Sequence, residues 1–334
     1  MPAAGPVGVS VTPFETRADV VLRVAERADE LGLDHMYVAE GWTHDAFVLL
    51  AQLAGRTSRV RLGSGIVSVW SRTPATIAMG AASLQRCTQG RFTLGLGASS
   101  PPLVEGFHGV DFQRPVARLR ATLTAVRALL DGERMPAPID GSRALRLGVR
   151  PEGAVPIALA ALAPASVRLA GELADEWAPF LWARSQLGPG LELLRDGEAR
   201  AAFDRPTRVS VAVPVALAPD EAAARRLAAW WLIAYTTRMG PLYPRMLGER
   251  FGMAAAVEAV VAVADDPPSE LPAAAEELAR DVTLFGTYDD AGAAIGAWFD
   301  AGADVVDLVL PPGRPEEELF ELVAVGGRVA GASA

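Results

Sequence analysis

Residues 62–109 read LGSGIVSVWSRTPATIAMGAASLQRCTQGRFTLGLGASSPPLVEGFHG. Two apolar runs of strand length, Val60–Val67 and Phe92–Gly97, carry this stretch, and both stop in small residues. Ser64-Gly65 end the first, and Gly95, Gly97, Ala98, Ser99 and Ser100 end the second. Small residues at a strand end let backbone approach a ligand closely, because no bulky side chain stands between them. Pro74 opens and Gly90 closes a helical pattern between the runs, so the unit is strand–helix–strand and its strands are parallel. Two such stops on parallel strands predict a cofactor bed at the carboxyl ends of a sheet.

Working outward, the same alternation covers the chain. Val7–Thr12 is a short apolar run, and Arg17–Leu31 has helical spacing and closes at Gly32. Counting strand–helix units gives eight principal strands, beginning near Val7, His35, Val60, Phe92, Val155, Ala174, Val209 and Val305. Eight alternating units without a break favour an α/β fold closed as a (β/α)8 TIM barrel. The rival is an open doubly wound sheet, which a GxGxxG turn after the first strand would support. Val11-Thr12-Pro13-Phe14 is not such a turn, and the GxG of Leu94–Gly97 lies inside a strand. Residues 1–334 are read as a single barrel domain with insertion segments near 98–115, 132–154 and 230–285. The second of these, rich in Pro, Gly and Arg, is expected to hold a hairpin at Ala144–Val149.

With 51% apolar and 21% charged residues the chain can bury a large core. The net charge of −9 and the lack of any dense basic run argue against nucleic-acid binding. There is no lysine, which removes Schiff-base chemistry. A single cysteine, Cys87, excludes an intrachain disulfide, makes a cysteine metal site improbable, and is expected to pack in the core. No metal site is expected. The amino terminus has no basic start and no long apolar segment, and no apolar run of about 18 residues occurs, so a cytoplasmic protein away from the membrane is expected.

The series AERADELGLDHMYVAEGW, RVRLGSGI, RTPATIAM, QGRFTLGLGASSPPLVEGFHG, LAGELADEW, FGT and AGADVVDLVLP resembles the bacterial-luciferase-like superfamily. It is most similar to the branch that uses coenzyme F420, typified by methylene-tetrahydromethanopterin reductase. The resemblance runs in order over almost the whole chain and implies a (β/α)8 barrel with insertions. By the same resemblance, Ser64, Gly65 and Ile66 match a bulge under the flavin or deazaflavin ring, with a non-proline cis peptide between Gly65 and Ile66. Gly97, Ala98 and Ser99 match a loop that holds the cofactor's side chain and phosphate. Ala160, Ala161 and Leu162 match a second backbone cradle, and Pro179 and Phe180 line the same groove. Relatives also imply a homodimer, through outer helices such as 45–56 and 74–88.

The second strand ends Ala39-Glu40-Gly41-Trp42-Thr43-His44-Asp45, at what would be the catalytic rim of a barrel. Glu40 could serve as an acid if burial raised its pKa, or could orient the ring. His44 is the best placed proton donor, or else caps the following helix. His35, at the opposite end of the strand, is read as structural, and His108 as an organiser of its loop. Arg72 could meet an anionic tail or form a surface salt bridge. Trp42, Trp70, Trp231 and Tyr235 are candidate walls of the substrate pocket. Related monooxygenases carry a His directly after the acidic residue of this segment, and F420-dependent sugar dehydrogenases use a His here with a Glu after the fourth strand. This chain has Gly41 and Ser100 instead, which puts sugar oxidation in doubt. The expectation is an F420H2-dependent oxidoreductase that transfers a hydride to an activated C=N or C=C bond of a small molecule. The alternatives are an FMNH2- and oxygen-dependent monooxygenase, and a binding protein without chemistry.

Overall fold

In the computed structural model, residues 5–135, 139–202, 205–264 and 271–331 are described. Ten strands alternate with helices: β1 (Val7–Val11), β2 (His35–Val38), β3 (Arg61–Ser64), β4 (Val67–Ser68), β5 (Phe92–Gly97), β6 (Ile157–Ala160), β7 (Glu176–Trp177), β8 (Arg208–Ala218), β9 (Leu284–Thr287) and β10 (Val305–Leu310). Eight of them close a parallel ring in the order β1-β2-β3-β5-β6-β7-β8-β10, with β10 returning to β1. The barrel expected from the strand count is therefore observed, and each barrel strand lies at one of the eight predicted places.

Period-two alternation explains how the ring is filled. Val7, Val9 and Val11 of β1 are buried in the apolar core, whereas Ser10 faces the cavity inside the ring. The same reading puts Tyr37, Ala158, Ala212, Asp307 and Val309 on the inside. Barrels are commonly filled by branched apolar side chains; this one is small and polar within, which leaves its upper half open. Glycines make the space. A Cβ on Gly8 would lie 2.2 Å from the His35 ring, and one on Gly63 would lie 2.6 Å from the Tyr37 ring.

β8 serves two partners. Its first half pairs with β10 as far as Pro214, and from Val215 it pairs with β9. Proline has no N–H to give the ladder, so the exchange of partners falls at that residue. The segment after β8 runs as the helix Glu221–Ile233 and then as two π-helical stretches, Ala234–Arg238 and Arg245–Arg250.

Two sequence expectations differ from the fold. Cys87 is exposed, at the last position of the helix Pro74–Cys87, whose buried face is carried by Ile77, Ala78, Ala81, Ala82, Leu84 and Gln85. Residues 144–149 form no strand, and a single backbone bond from Met135 N–H to Leu145 C=O marks the place of the expected hairpin.

Candidate active site

A cavity of about 450 Å³ opens at the carboxyl ends of the barrel strands. Its wall at β3 is a bulge. Gly63 pairs with Thr93, and Val67 pairs with Leu96, so three residues, 64–66, stand opposite two, 94–95. An extra residue bends the strand and re-aims its backbone. Ser64 stitches the bulge to β5, its Oγ donating to Gly95 C=O and accepting from Gly95 N–H, both at 2.9 Å. The neighbouring strand must have no side chain there. A Cβ on Gly95 would fall 1.8 Å from Ser64 O, and one on Gly97 would fall 2.9 Å from Ile66 Cδ1. The expected bulge at Ser64, Gly65 and Ile66 is thus present, but the expected cis peptide is not. The described residues contain no cis bond, and the bulge at 64–66 is built from trans peptides.

The loops after β5 and β6 complete that side. Gly97, Ala98, Ser99 and Ser100 line the cavity, and Ser99 holds a left-handed φ of 61°, unusual for a residue with a side chain. Ala160, Leu162 and Ala163 line it as well. Ala161 is turned away and buried, its carbonyl accepting the Trp177 Nε1–H bond at 2.9 Å. The Leu162 carbonyl accepts a bond from Arg250 of the second π-helical stretch. Phe180 is on the wall, but Pro179 is behind it, bonded through its carbonyl to Ala212 N–H.

Aromatic rings build another part of the cavity wall. Phe14 meets Trp42 at 5.1 Å and Tyr235 at 6.1 Å, and Phe180 meets Tyr235 at 4.7 Å and Tyr243 at 6.1 Å. Trp42, Phe180, Tyr235 and Tyr243 line the cavity. Trp231 does not. It is fully buried behind Tyr235, its ring nitrogen donating to Val215 C=O. Trp70 does not reach the cavity either; it packs on Phe112, which does, and beneath Arg118. Tyr243 escapes sequence reading because it lies in a three-residue helical turn, Leu242–Pro244, too short to show a period. Burial pushes the Tyr235 and Tyr243 hydroxyls above their ordinary range, so both stay protonated at neutral pH.

Glu40 lines the cavity, and both its oxygens are engaged. Arg72 donates to Oε1 at 2.5 Å and to Oε2 at 2.7 Å, and Ala46 N–H donates to Oε2 at 3.0 Å. Arg72 also reaches Asp45, the N-cap of the helix Ala46–Ala54. This guanidinium is thereby committed to protein carboxylates. His44 stands outside the cavity, 3.0 Å from the Thr16 carbonyl. Gly41 admits no side chain, because a Cβ there would lie 2.4 Å from Pro13 Cβ.

Below the cavity lies a set of charges that reading for motifs missed. His35 is wholly buried and stacked on Tyr37 at 3.9 Å. Its Nδ1 meets Asp34 at 3.0 Å, and its Nε2 meets Asp307 at 3.3 Å. Burial alone would lower its pKa, but the two carboxylates outweigh that and raise it to about 9. Asp34 pairs with Arg61 and Arg208. Despite burial, His35 and these arginines hold it well below the usual carboxylate range. Tyr37 donates to Glu176 at 3.2 Å. The signal was available: in GVSVT, HMYVA, RVSVA and VVDLV alternate positions are apolar and the others are small or polar.

Comparison with known proteins agrees with the barrel fold. The profile of the luciferase-like monooxygenase family matches residues 4–305. A Mycobacterium tuberculosis protein provisionally named as a coenzyme F420-dependent oxidoreductase is 30% identical over 316 residues, covering 87% of this chain and 90% of its own. The 5,10-methylenetetrahydromethanopterin reductase of Methanolobus tindarius is 26% identical over 317 residues, covering 92% and 95%. The solved structure of the coenzyme F420-dependent tetrahydromethanopterin reductase from Methanopyrus kandleri superposes with a TM-score of 0.74 at 19% identity, covering 96% of this chain and 97% of that one. No helix among the described residues is long and apolar enough to cross a membrane.

Proposed function

This chain belongs to the luciferase-like monooxygenase family, and from that premise we propose that it is an F420H2-dependent oxidoreductase acting on an activated C=N or C=C bond of a small molecule. The observation that carries the reading is the bulge at 64–66 resting on Gly95 and Gly97 beside a cavity of about 450 Å³. Cavities of this size hold flat cofactor-sized ligands, and a ledge where any Cβ would collide suits a ring laid against backbone. Ser64, Gly65 and Ile66 back the ring; Gly97, Ala98, Ser99, Ala160 and Leu162 bound the path of its phosphate-bearing chain. When bound, the reduced cofactor supplies the hydride.

The protein's share is placement. Phe180, Tyr235 and Tyr243 offer flat faces that seat an acceptor opposite the bulge and keep water out. Tyr235 and Tyr243 each hold a proton at Oη, and their hydroxyls meet no protein partner among the described residues, so either can hydrogen-bond the acceptor's heteroatom. Glu40, clamped by Arg72, orients the rim. No histidine can occupy position 41 without displacing Pro13, which favours reduction of an activated bond over oxidation of an alcohol that needs a base. Val48 and Met79, exposed on the helices Ala46–Ala54 and Pro74–Cys87, support the homodimer that relatives imply.

Titration of the purified protein with F420 and with FMN, followed by absorbance and fluorescence, tests the reading. F420 is expected to bind and FMN to bind more weakly. Tight FMN binding without F420 binding would favour a monooxygenase, and binding of neither would leave a non-catalytic barrel.

A further inference from the structure

The floor of the cavity holds a carboxylate whose pairing with His35 leaves it short of hydrogen bonds. Asp307 belongs to the cavity wall, yet the residue is only 4% exposed. His35 is the polar neighbour that faces it, and neither oxygen accepts a well-directed protein hydrogen bond among the described residues. Oδ1 is fully buried and turned to His35 Nε2, at 3.3 Å but off the hydrogen-bond line. A buried carboxylate without hydrogen bonds is costly. His35, stacked on Tyr37 and tied at its other nitrogen to Asp34, fixes the carboxylate without satisfying it. Ser10 lines the cavity one side-chain layer above, on the neighbouring strand and level with Val309, and its hydroxyl also lacks a protein partner among the described residues. Tyr37 lines the floor too, its hydroxyl proton given to Glu176.

The cavity therefore offers one anionic acceptor at its floor, with a hydroxyl donor one layer above it on the neighbouring strand, in a slot whose walls are flat and apolar. A ligand that satisfies it carries an N–H donor with a carbonyl acceptor beside it on the edge of a flat ring. We propose that Asp307, positioned by His35, is the binding residue for the imide edge of the ring that enters this cavity, accepting its N–H, with Ser10 donating to the adjacent carbonyl. The inference rests on the cofactor reading above and deepens it. Deazaflavins and flavins share this edge, so it holds for either ring.

The test uses binding alone. The full chain is titrated by fluorescence with the deazaflavin chromophore FO, with N3-methyl FO, in which the donor is blocked, and with FMN. The wild type is expected to bind FO at least tenfold more tightly than the methylated form, a hydrogen bond to a charged acceptor being worth about that factor or more. Asp307→Ala should lose most of that preference by weakening FO and leaving N3-methyl FO nearly unchanged. Asp307→Asn, of the same shape and the safer variant for folding, should lose severalfold in FO affinity because a neutral acceptor is weaker. Equal binding of FO and N3-methyl FO by the wild type, or an undiminished preference in folded Asp307→Asn, would overturn the proposal while leaving the cofactor reading intact. If the wild type binds neither FO nor FMN, the cofactor reading fails and the proposal fails with it.

Discussion

The cavity wall at the mouth of the barrel is mostly backbone and aromatic face: Gly65, Gly97, Phe180, Tyr235. At the base, the inside is a knot of charge, with Asp34, Glu176 and Asp307 against Arg61, Arg208 and a protonated His35. The formal charges balance there, three against three. The mouth depends on shape, so it can be re-lined by other side chains of similar bulk. The base depends on identity, because removing one member strands the others in a place that water reaches poorly. On the proposed function, recognition of variable acceptors would belong to the first, and the proposed hydrogen-bonding floor to the second.

The strongest way to break this contrast is at His35. His35→Ala leaves Asp34 and Asp307 facing each other without the cation between them, and a cost of about 3–5 kcal/mol in urea denaturation is expected; a loss below about 1 kcal/mol would mean the base is no more committed than the mouth. The same residue sets a pH dependence. Its folded pKa of about 9 lies above the unfolded value near 6.5, so its stabilisation is complete below pH 6.5 and disappears as pH rises through 9. That difference is on the order of 3 kcal/mol, and the urea midpoint should fall between pH 7 and 9.5 in the wild type but not in His35→Gln.

At the mouth, Gly95→Ala drives a Cβ into the bulge at Ser64. It should cost about 1–3 kcal/mol and, more tellingly, weaken ring binding by an order of magnitude or more in the same titration. A variant that keeps full affinity would show that the bulge is not the ring's support. The smallest effect is expected outside both regions. Arg120 and Glu172 make a largely exposed ion pair between the helices Pro115–Leu130 and Pro164–Leu173. Arg120→Ala should shift stability by no more than about 1 kcal/mol, which sets the scale against which the other two are judged.

The architecture could be read from the sequence because each barrel strand carries its own punctuation. Ser64-Gly65 and the glycines of Leu94–Gly97 mark the small-residue strand ends that line the cavity, whereas the bulge at 64–66 follows from the family resemblance. What escaped depends on direction. Trp231 and Trp70 have the bulk of pocket walls, yet one points to Val215 and the other to Phe112; adjacent positions on a helix or strand end do not say which side faces a ligand. His44 sits beside the rim in sequence but bonds to Thr16 across a loop. His35 was correctly placed at the stability end of the barrel, but its partner Asp307 lies 272 positions away by residue number, and only ring closure brings them together. Cys87 fell on the outer face because one helical step separates it from the buried side.

The handover within β8 decides which side of the entrance can give way. β9 hangs from the upper half of a strand whose lower half is locked into the ring, so that flank can move only by tearing ladder bonds. Another flank of the cavity, 234–250, is held by side chains, among them Arg250 on the Leu162 carbonyl, and is partly π-helical. Ingress and egress of ligands should therefore be hinged on that flank, with amide protons of Val215–Ala218 exchanging slowly and those of 234–250 exchanging first.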